Sequence, residues 1–313
     1  MFLYFILMAI QYVFMCIYYS NTNLVKEEYE YELEGIKHKA NIYKTPTPSN
    51  RVVLFLSGSY QLTHDSYIKK LIHDITNPNN HDTNVFENYE LVVFEKFDKS
   101  SIVIYTDVAK YLIDVYINDK DGKRNCKLEE LIIFGFSAGG VVASHIMSQL
   151  NDYKFKKKII TYDTPWQVMN NVSRFQKNYL YRPDILGFYI VYYIYVFHYN
   201  FNDIRHHLQI SNTRLFGADK MIEMIKNVHG FTDTQMFDTT AFNFNQNPET
   251  KIVNIWCKYD PCVNRETHNE YISKHKQVCI NGVTNVEKNK IGHCSDMAFD
   301  CDYLIEIMFA FLV

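Results

Sequence analysis

Hydrophobic positions follow three rhythms along this chain. Residues 1–19 read MFLYFILMAIQYVFMCIYY, without a charged side chain and with one amide, Gln11. From residue 28 the rhythm is two: Tyr29, Tyr31 and Leu33 alternate with Glu28, Glu30, Glu32 and Glu34, as in a strand with one face in solvent. A second short strand is expected over 40–43, and the Thr-Pro-Thr-Pro-Ser run at 45–49 ends it in a turn. Then continuous apolar runs appear at 52–56, 91–94, 131–134, 158–162 and 252–256, with a weaker one at 278–280. Runs of that kind suit strands buried on both faces of a parallel sheet. Helical periodicity fills the intervals, at 67–75, 108–117, 141–150 and 297–312. Strands alternating with helices predict an α/β architecture: a mostly parallel, doubly wound sheet with helices on both faces, two antiparallel strands leading in and a helix closing the chain.

One interval is too long for a single crossover. More than eighty residues separate Pro165 from Lys251, and we read about 167–246 as an inserted helical lid. Its middle, 185–197, is uncharged and carries Phe188, Tyr189, Tyr192, Tyr193, Tyr195 and Phe197. Thirteen residues are too few to span a bilayer, so this stretch reads either as a buried lid helix or as one resting on a membrane. Residues 23–313 then form one domain carrying the insertion.

Residues 1–22 form a segment of their own. About twenty apolar residues match a bilayer-spanning helix. A cleaved signal would prefer a basic start and small residues at the cut. No Lys or Arg precedes Lys26, and bulky Tyr18 and Tyr19 occupy the cleavage region. An uncleaved anchor is therefore the preferred reading, with a membrane-associated protein as its consequence. A cleaved signal, and hence secretion, is the alternative, and an apolar arm lying on the folded domain is a third. The lysines at 26, 37 and 39 lean toward a cytoplasmic domain. The sequon at Asn171-Val172-Ser173 would, if used, argue the other way.

Composition narrows the chemistry. With 313 residues, 47% hydrophobic and 21% charged, the chain is globular and large enough for a sizeable core. A net charge of −3 gives no basic face for nucleic acid. Tyr (25) and Phe (22) are so abundant that no single aromatic cluster carries much weight. The seven cysteines are odd in number and show no C-x-x-C pair, so no metal site is expected and reduced, mostly buried thiols are the preferred state. Five of them fall in the last quarter, which leaves one or two C-terminal disulfides open.

Residues 131–140 read LIIFGFSAGG. An apolar strand ends at Phe134, a helical pattern begins after Gly140, and G-x-S-x-G lies between. A serine presented on a sharp strand-to-helix turn exposes its Oγ, and such a turn leaves no room for side chains beside it. The chain has only 11 glycines, and three fall at 135, 139 and 140. The following helix N-terminus aims partial positive charge at the place where an oxyanion would form. On these residues the chain resembles the α/β-hydrolase superfamily, with serine esterases and lipases among its members, from about residue 28 onward. The resemblance implies that Ser137, after the fifth strand, is the nucleophile, and that the acid and then the base follow in chain order.

The resemblance further places the acid at Asp260, after the strand 252–256, with Pro261 stiffening its turn. Asp163, in Tyr162-Asp163-Thr164-Pro165 after the sixth strand, is the alternative acid, and a plain Asp-Pro turn is the bland reading of Asp260. The base falls at His293, before the closing helix; an imidazole titrates near neutrality and can take and return a proton. The oxyanion hole would use the backbone amides of Ala138 and of Ser59, with Tyr60 next in line. Many relatives carry His-Gly where this chain has Ser57-Gly58. Such a triad cleaves a carboxylic ester through an acyl-enzyme and needs no cofactor. The apolar N-terminus and the aromatic lid tilt the expected substrate toward a small-molecule or lipid-like ester. An acyltransferase or thioesterase on the same triad, and a non-catalytic binding protein on this fold, are the alternatives.

Overall fold

Five-residue apolar runs bury completely only when both faces of their sheet are covered, and the strands at 51–56 and 130–136 meet that condition along almost their whole length. The structure is a computed structural model and describes residues 24–33, 36–56, 88–95, 105–120, 122, 127–164, 166, 250–260, 263, 265–276 and 283–291. The segment 1–22, the insertion 167–246, Ser59, Tyr60, His293, the run 278–280 and the helical patterns at 67–75 and 297–312 lie outside the described residues.

The described strands are β1 (Val25–Leu33), β2 (Ile36–Lys44), β3 (Arg51–Leu56), β4 (Glu90–Glu95), β5 (Glu130–Phe136), β6 (Lys156–Tyr162), β7 (Lys251–Tyr259) and β8 (Val283–Ile291). They form one eight-stranded sheet in the order β1-β2-β4-β3-β5-β6-β7-β8. β1 pairs antiparallel with β2, and β2 antiparallel with β4. Every pairing from β4 to β8 is parallel. Two antiparallel strands therefore do lead into a parallel sheet. The eighth strand lies at 283–291, downstream of the weak apolar run that suggested it.

Three helices are described: α1 (Tyr105–Tyr111), which continues through wide π-type turns at Leu112–Ile117, α2 (Ala138–Gln149) and α3 (Arg265–Lys276). They share one face of the sheet. Val52, Leu54, Val92, Leu131, Ile133, Ile159 and Ile252 form one buried cluster with Val108, Leu112, Val142, Ile146, Tyr271 and Ile272. Each aliphatic side chain so buried is worth about 1.5–3 kcal/mol relative to exposure. The opposite face is equally dry: Val53, Phe55, Ile132, Phe134, Ile160 and Ile255 are all buried. Among the described residues no helix is long and apolar enough to cross a membrane.

The half-exposed reading of β1 also holds. Glu28, Glu30 and Glu32 are exposed, while Tyr29 and Tyr31 turn inward. The Tyr29 hydroxyl donates to Asp114 Oδ2 (2.9 Å), joining β1 to the π-type turns. Burial alone would raise the Asp114 carboxyl, but hydrogen bonds from Lys120, Tyr29 and Lys110 outweigh it and hold the group below its usual range. A second buried carboxylate, Glu130 at the start of β5, accepts from the Tyr89 hydroxyl (2.8 Å) and pairs with Lys158 (2.8 Å), which hold it low against the same upward pull of burial.

Candidate active site

Parallel strands direct their carboxyl ends to one edge of the sheet, and the crevice there is where open α/β sheets bind ligands. Three of the residues singled out in the sequence stand at that edge, on three adjacent strands: Ser137 after β5, Asp163 after β6 and Asp260 after β7.

Ser137 sits between the last residue of β5 and the first of α2, with φ 49° and ψ −125°. A non-glycine residue at positive φ costs about 1–3 kcal/mol and persists only where its surroundings enforce it. Here they do. The Ser137 N–H donates to the Tyr162 carbonyl (2.8 Å), and the Gly140 N–H donates back to the Ser137 carbonyl (3.0 Å). The space for the turn comes from missing side chains. A Cβ on Gly135 would stand 2.5 Å from the Gly139 carbonyl oxygen and 2.6 Å from the Gly140 Cα. A Cβ on Gly140 would stand 1.9 Å from Thr164 Oγ1. The first contact explains the leading glycine of G-x-S-x-G. The second shows that the glycine one step beyond the motif is also required, because the turn after β6 packs against the start of α2. Ala138 opens α2, so its amide belongs to the first turn, whose N–H groups lack intrahelical acceptors.

Asp163 is fully buried and also takes a positive φ, 47°. Its N–H donates to the Ile255 carbonyl (2.9 Å), and its Oδ1 accepts the Cys257 N–H (2.6 Å). Asp260 is 1% exposed, and its N–H donates to the Cys257 carbonyl (3.0 Å), closing the turn that ends β7. Cys257, the one cysteine among the described residues, has a buried thiol outside any disulfide. No group of three or more metal-binding side chains occurs among the described residues.

Behind these turns lies a polar layer that the sequence did not announce. Thr161, Asn254 and Asn285 stand in register across β6, β7 and β8. Thr161 Oγ1 donates to Asn254 Oδ1 (2.6 Å), and the Asn254 amide donates to Asn285 Oδ1 (3.0 Å). His268 of α3 completes the layer: its Nε2 lies 2.6 Å from Asn254 Nδ2 and 2.9 Å from Asn285 Oδ1. Burial holds the His268 ring neutral, pushing its pKa down to about 4 despite the Asn285 contact. Nearby, Tyr271 stacks on Trp166 with ring centroids 3.6 Å apart, and its hydroxyl lies 3.3 Å from Ser144 Oγ of α2. The chain is thus pinned to α3 at the last described residue before the insertion.

The strand order, the handover from antiparallel to parallel pairing and the strained serine after the fifth strand coincide in one known architecture. The chain has the α/β-hydrolase fold. Solved structures agree. The esterase Pf2001 of Pyrococcus furiosus matches with a TM-score of 0.60 at 15% identity, over 92% of this chain and 91% of that one. An esterase of Rhizomucor miehei matches at 0.58 and 11% identity, over 95% and 86%. The hyperthermophilic esterase of Pyrobaculum calidifontis matches at 0.57 and 15% identity, over 97% and 90%. No protein-family model matches the sequence, and no curated protein matches it in sequence. Within this α/β-hydrolase fold the described residues bring Ser137, Ala138, Asp163 and Asp260 to one edge.

Proposed function

We propose that this α/β-hydrolase-fold chain is a serine hydrolase that cleaves carboxylic esters. The observation that carries the reading is the backbone of Ser137, strained at φ 49° between β5 and the N-terminus of α2. A strained strand-to-helix turn of that kind is how a nucleophilic serine is presented to a substrate. The structurally similar proteins named above are esterases, which supports the choice of ester over other acyl compounds.

In this reading His293 takes the proton of Ser137 as Oγ attacks the ester carbonyl carbon. The tetrahedral oxyanion is held by the amides of Ala138 and Ser59. The carbon–oxygen bond to the leaving alcohol breaks, and His293 hands that alcohol the proton. Water, deprotonated by the same imidazole, then splits the acyl-enzyme, and the proton returns to Ser137. Asp260 orients the imidazole and stabilises its charged form. The apolar segment 1–22 and the aromatic stretch 185–197 support a lipid-like ester met at a membrane, with segment 1–22 as the anchor.

A fluorophosphonate probe, which reacts with activated serines, tests the proposal on the full chain. The parent is expected to label, and Ser137→Ala and His293→Ala are expected to lose the label. A folded parent that stays unlabelled with and without lipid vesicles sinks the hydrolase reading. A series of p-nitrophenyl esters of increasing acyl length then tests the lipid-like preference, which fails if acetate is turned over as well as the longer chains.

A further inference from the structure

The carboxyl ends of β6 and β7 hold two buried aspartates where a triad uses one. We infer that Asp163 is a positioning residue, whose carboxylate holds the turn that carries Asp260. The inference rests on the proposed triad and adds to it a division of labour between the two acids.

The argument comes from the ladder between β6 and β7. Their parallel pairing runs to Tyr162 opposite Ile255, and the next rung begins normally, with the Asp163 N–H on the Ile255 carbonyl. In a continuing parallel ladder the Cys257 N–H would next go to the Asp163 carbonyl. At φ 47° the Asp163 main chain turns out of the strand, and its side chain supplies the acceptor instead: Oδ1 takes the Cys257 N–H at 2.6 Å. The carboxylate therefore stands in for the residue's own carbonyl. Asp tolerates this backbone better than most residues and carries an oxygen at the right reach.

What that bond fixes is the root of the next turn. Cys257 has its N–H on Asp163, and its carbonyl accepts the Asp260 N–H at 3.0 Å. β7 is irregular just there, its pairing with β8 slipping between Cys257 and Tyr259. A strand that slips register two residues before a functional side chain needs an anchor, and the Asp163 carboxylate is one. The nucleophile side is linked to the same place, since the Ser137 N–H donates to the Tyr162 carbonyl, one residue before Asp163.

Two substitutions separate this role from that of the acid. Asp163→Asn keeps an acceptor oxygen and tolerates positive φ but removes the charge; Asp163→Gly tolerates the backbone and removes the acceptor. With Asp163 as a positioning residue, Asp163→Asn labels with fluorophosphonate within about threefold of the parent. Asp163→Gly falls about 10²-fold, the scale of a small misplacement of reacting groups. Its residual labelling shows an acid limb moved to lower pH, because a displaced Asp260 stabilises the imidazolium less. Asp260→Asn loses on the order of 10⁴-fold. Amide hydrogen exchange over 255–260 is expected to stay slow in Asp163→Asn and to quicken in Asp163→Gly. The inference is overturned if Asp163→Asn loses labelling as fully as Asp163→Gly while Asp260→Asn keeps it, which would make Asp163 the acid. It is also overturned if exchange over 255–260 is the same in the parent, Asp163→Asn and Asp163→Gly. An unlabelled parent instead removes the hydrolase reading, and with it any positioning role in catalysis; the exchange result then reports the brace alone.

Discussion

The turn after β5 and the turns after β6 and β7 all end buried parallel strands and all carry a residue of the proposed site, yet they are held by opposite means. The serine corner is held by absence. Gly135 and Gly140 leave gaps into which the Gly139 carbonyl and Thr164 fit, and backbone hydrogen bonds to Tyr162 and from Gly140 fix the main chain of Ser137. The aspartate corners are held by polar side chains. Asp163 replaces a backbone acceptor, and behind it Thr161, Asn254, Asn285 and His268 tie β6, β7, β8 and α3 together. A corner made of close backbone contacts is rigid but intolerant of added atoms. A corner made of hydrogen bonds is intolerant of lost atoms and of protons. Each half should therefore break under a different perturbation.

The largest effect is expected from one methyl group on the serine corner. Gly135→Ala drives Cβ to 2.5 Å from a backbone oxygen that has no rotamer to escape into. Destabilisation upwards of about 5 kcal/mol, or failure to fold, is expected, above the ordinary range for overpacking. Gly140→Ala meets the Thr164 side chain instead, so adding Thr164→Ala should recover part of its loss in melting temperature. Equal losses for Gly135→Ala and Gly140→Ala, with no recovery, would show that the two contacts are not of different kinds.

That contrast also explains which features could be read from sequence. The serine corner was legible because its cause is glycine, and glycine is visible as a letter. The continuous runs of β3 and β5 were legible because both faces are dry. β8 was not, since VTNVEKNKI at a sheet edge buries little and places Asn285 and Glu287 at exposed positions. α3 was not singled out either: its buried stripe is His268, Tyr271 and Ile272, and two of those three carry polar atoms. Asp163 was legible as a buried-strand aspartate and thus as a candidate acid. Its bond to the Cys257 amide was not, because no pattern of letters records which backbone group a side chain meets.

On the aspartate side, the largest loss should follow removal of the central amide. Asn254→Leu keeps the heavy-atom count, strips Thr161 of its partner and removes one partner each from His268 and Asn285, which keep each other. An orphaned buried group costs about 1–3 kcal/mol and Thr161 is fully buried, so a loss of about 2–3 kcal/mol is expected in urea unfolding. A loss below about 1 kcal/mol would mean that the layer fills space without binding the strands.

Protons should act on the same layer. The His268 pKa is about 4 in the fold and near the ordinary 6.5 in the unfolded chain, because burial disfavours the charged ring. Between those values the unfolded state binds more protons. The contribution of His268 to stability is therefore fully present above pH 6.5 and is lost as pH drops toward 4, by about 1.4 kcal/mol per unit and about 3 kcal/mol in all. His145 of α2, lowered to about 3 by burial, adds to the same slope and extends it. His268→Gln should start less stable at pH 7 but lose less per pH unit than the parent, when urea midpoints are compared from pH 7 to 4.5. Parallel slopes would show that His268 is not the group that titrates.

The smallest effect is expected where α3 meets the outer edge of the sheet. Arg265 and Glu287 approach to 3.5 Å, with side chains 58% and 35% exposed. The pair joins the same two elements, α3 and β8, as His268 and Asn285, but it does so in water. Exposed pairs gain little once solvent screening and side-chain ordering are counted. Glu287→Gln should therefore shift stability by less than about 0.5 kcal/mol and leave the acid slope unchanged. A loss approaching that of Asn254→Leu would mean that the edge of the sheet, and not the buried layer, holds α3 in place.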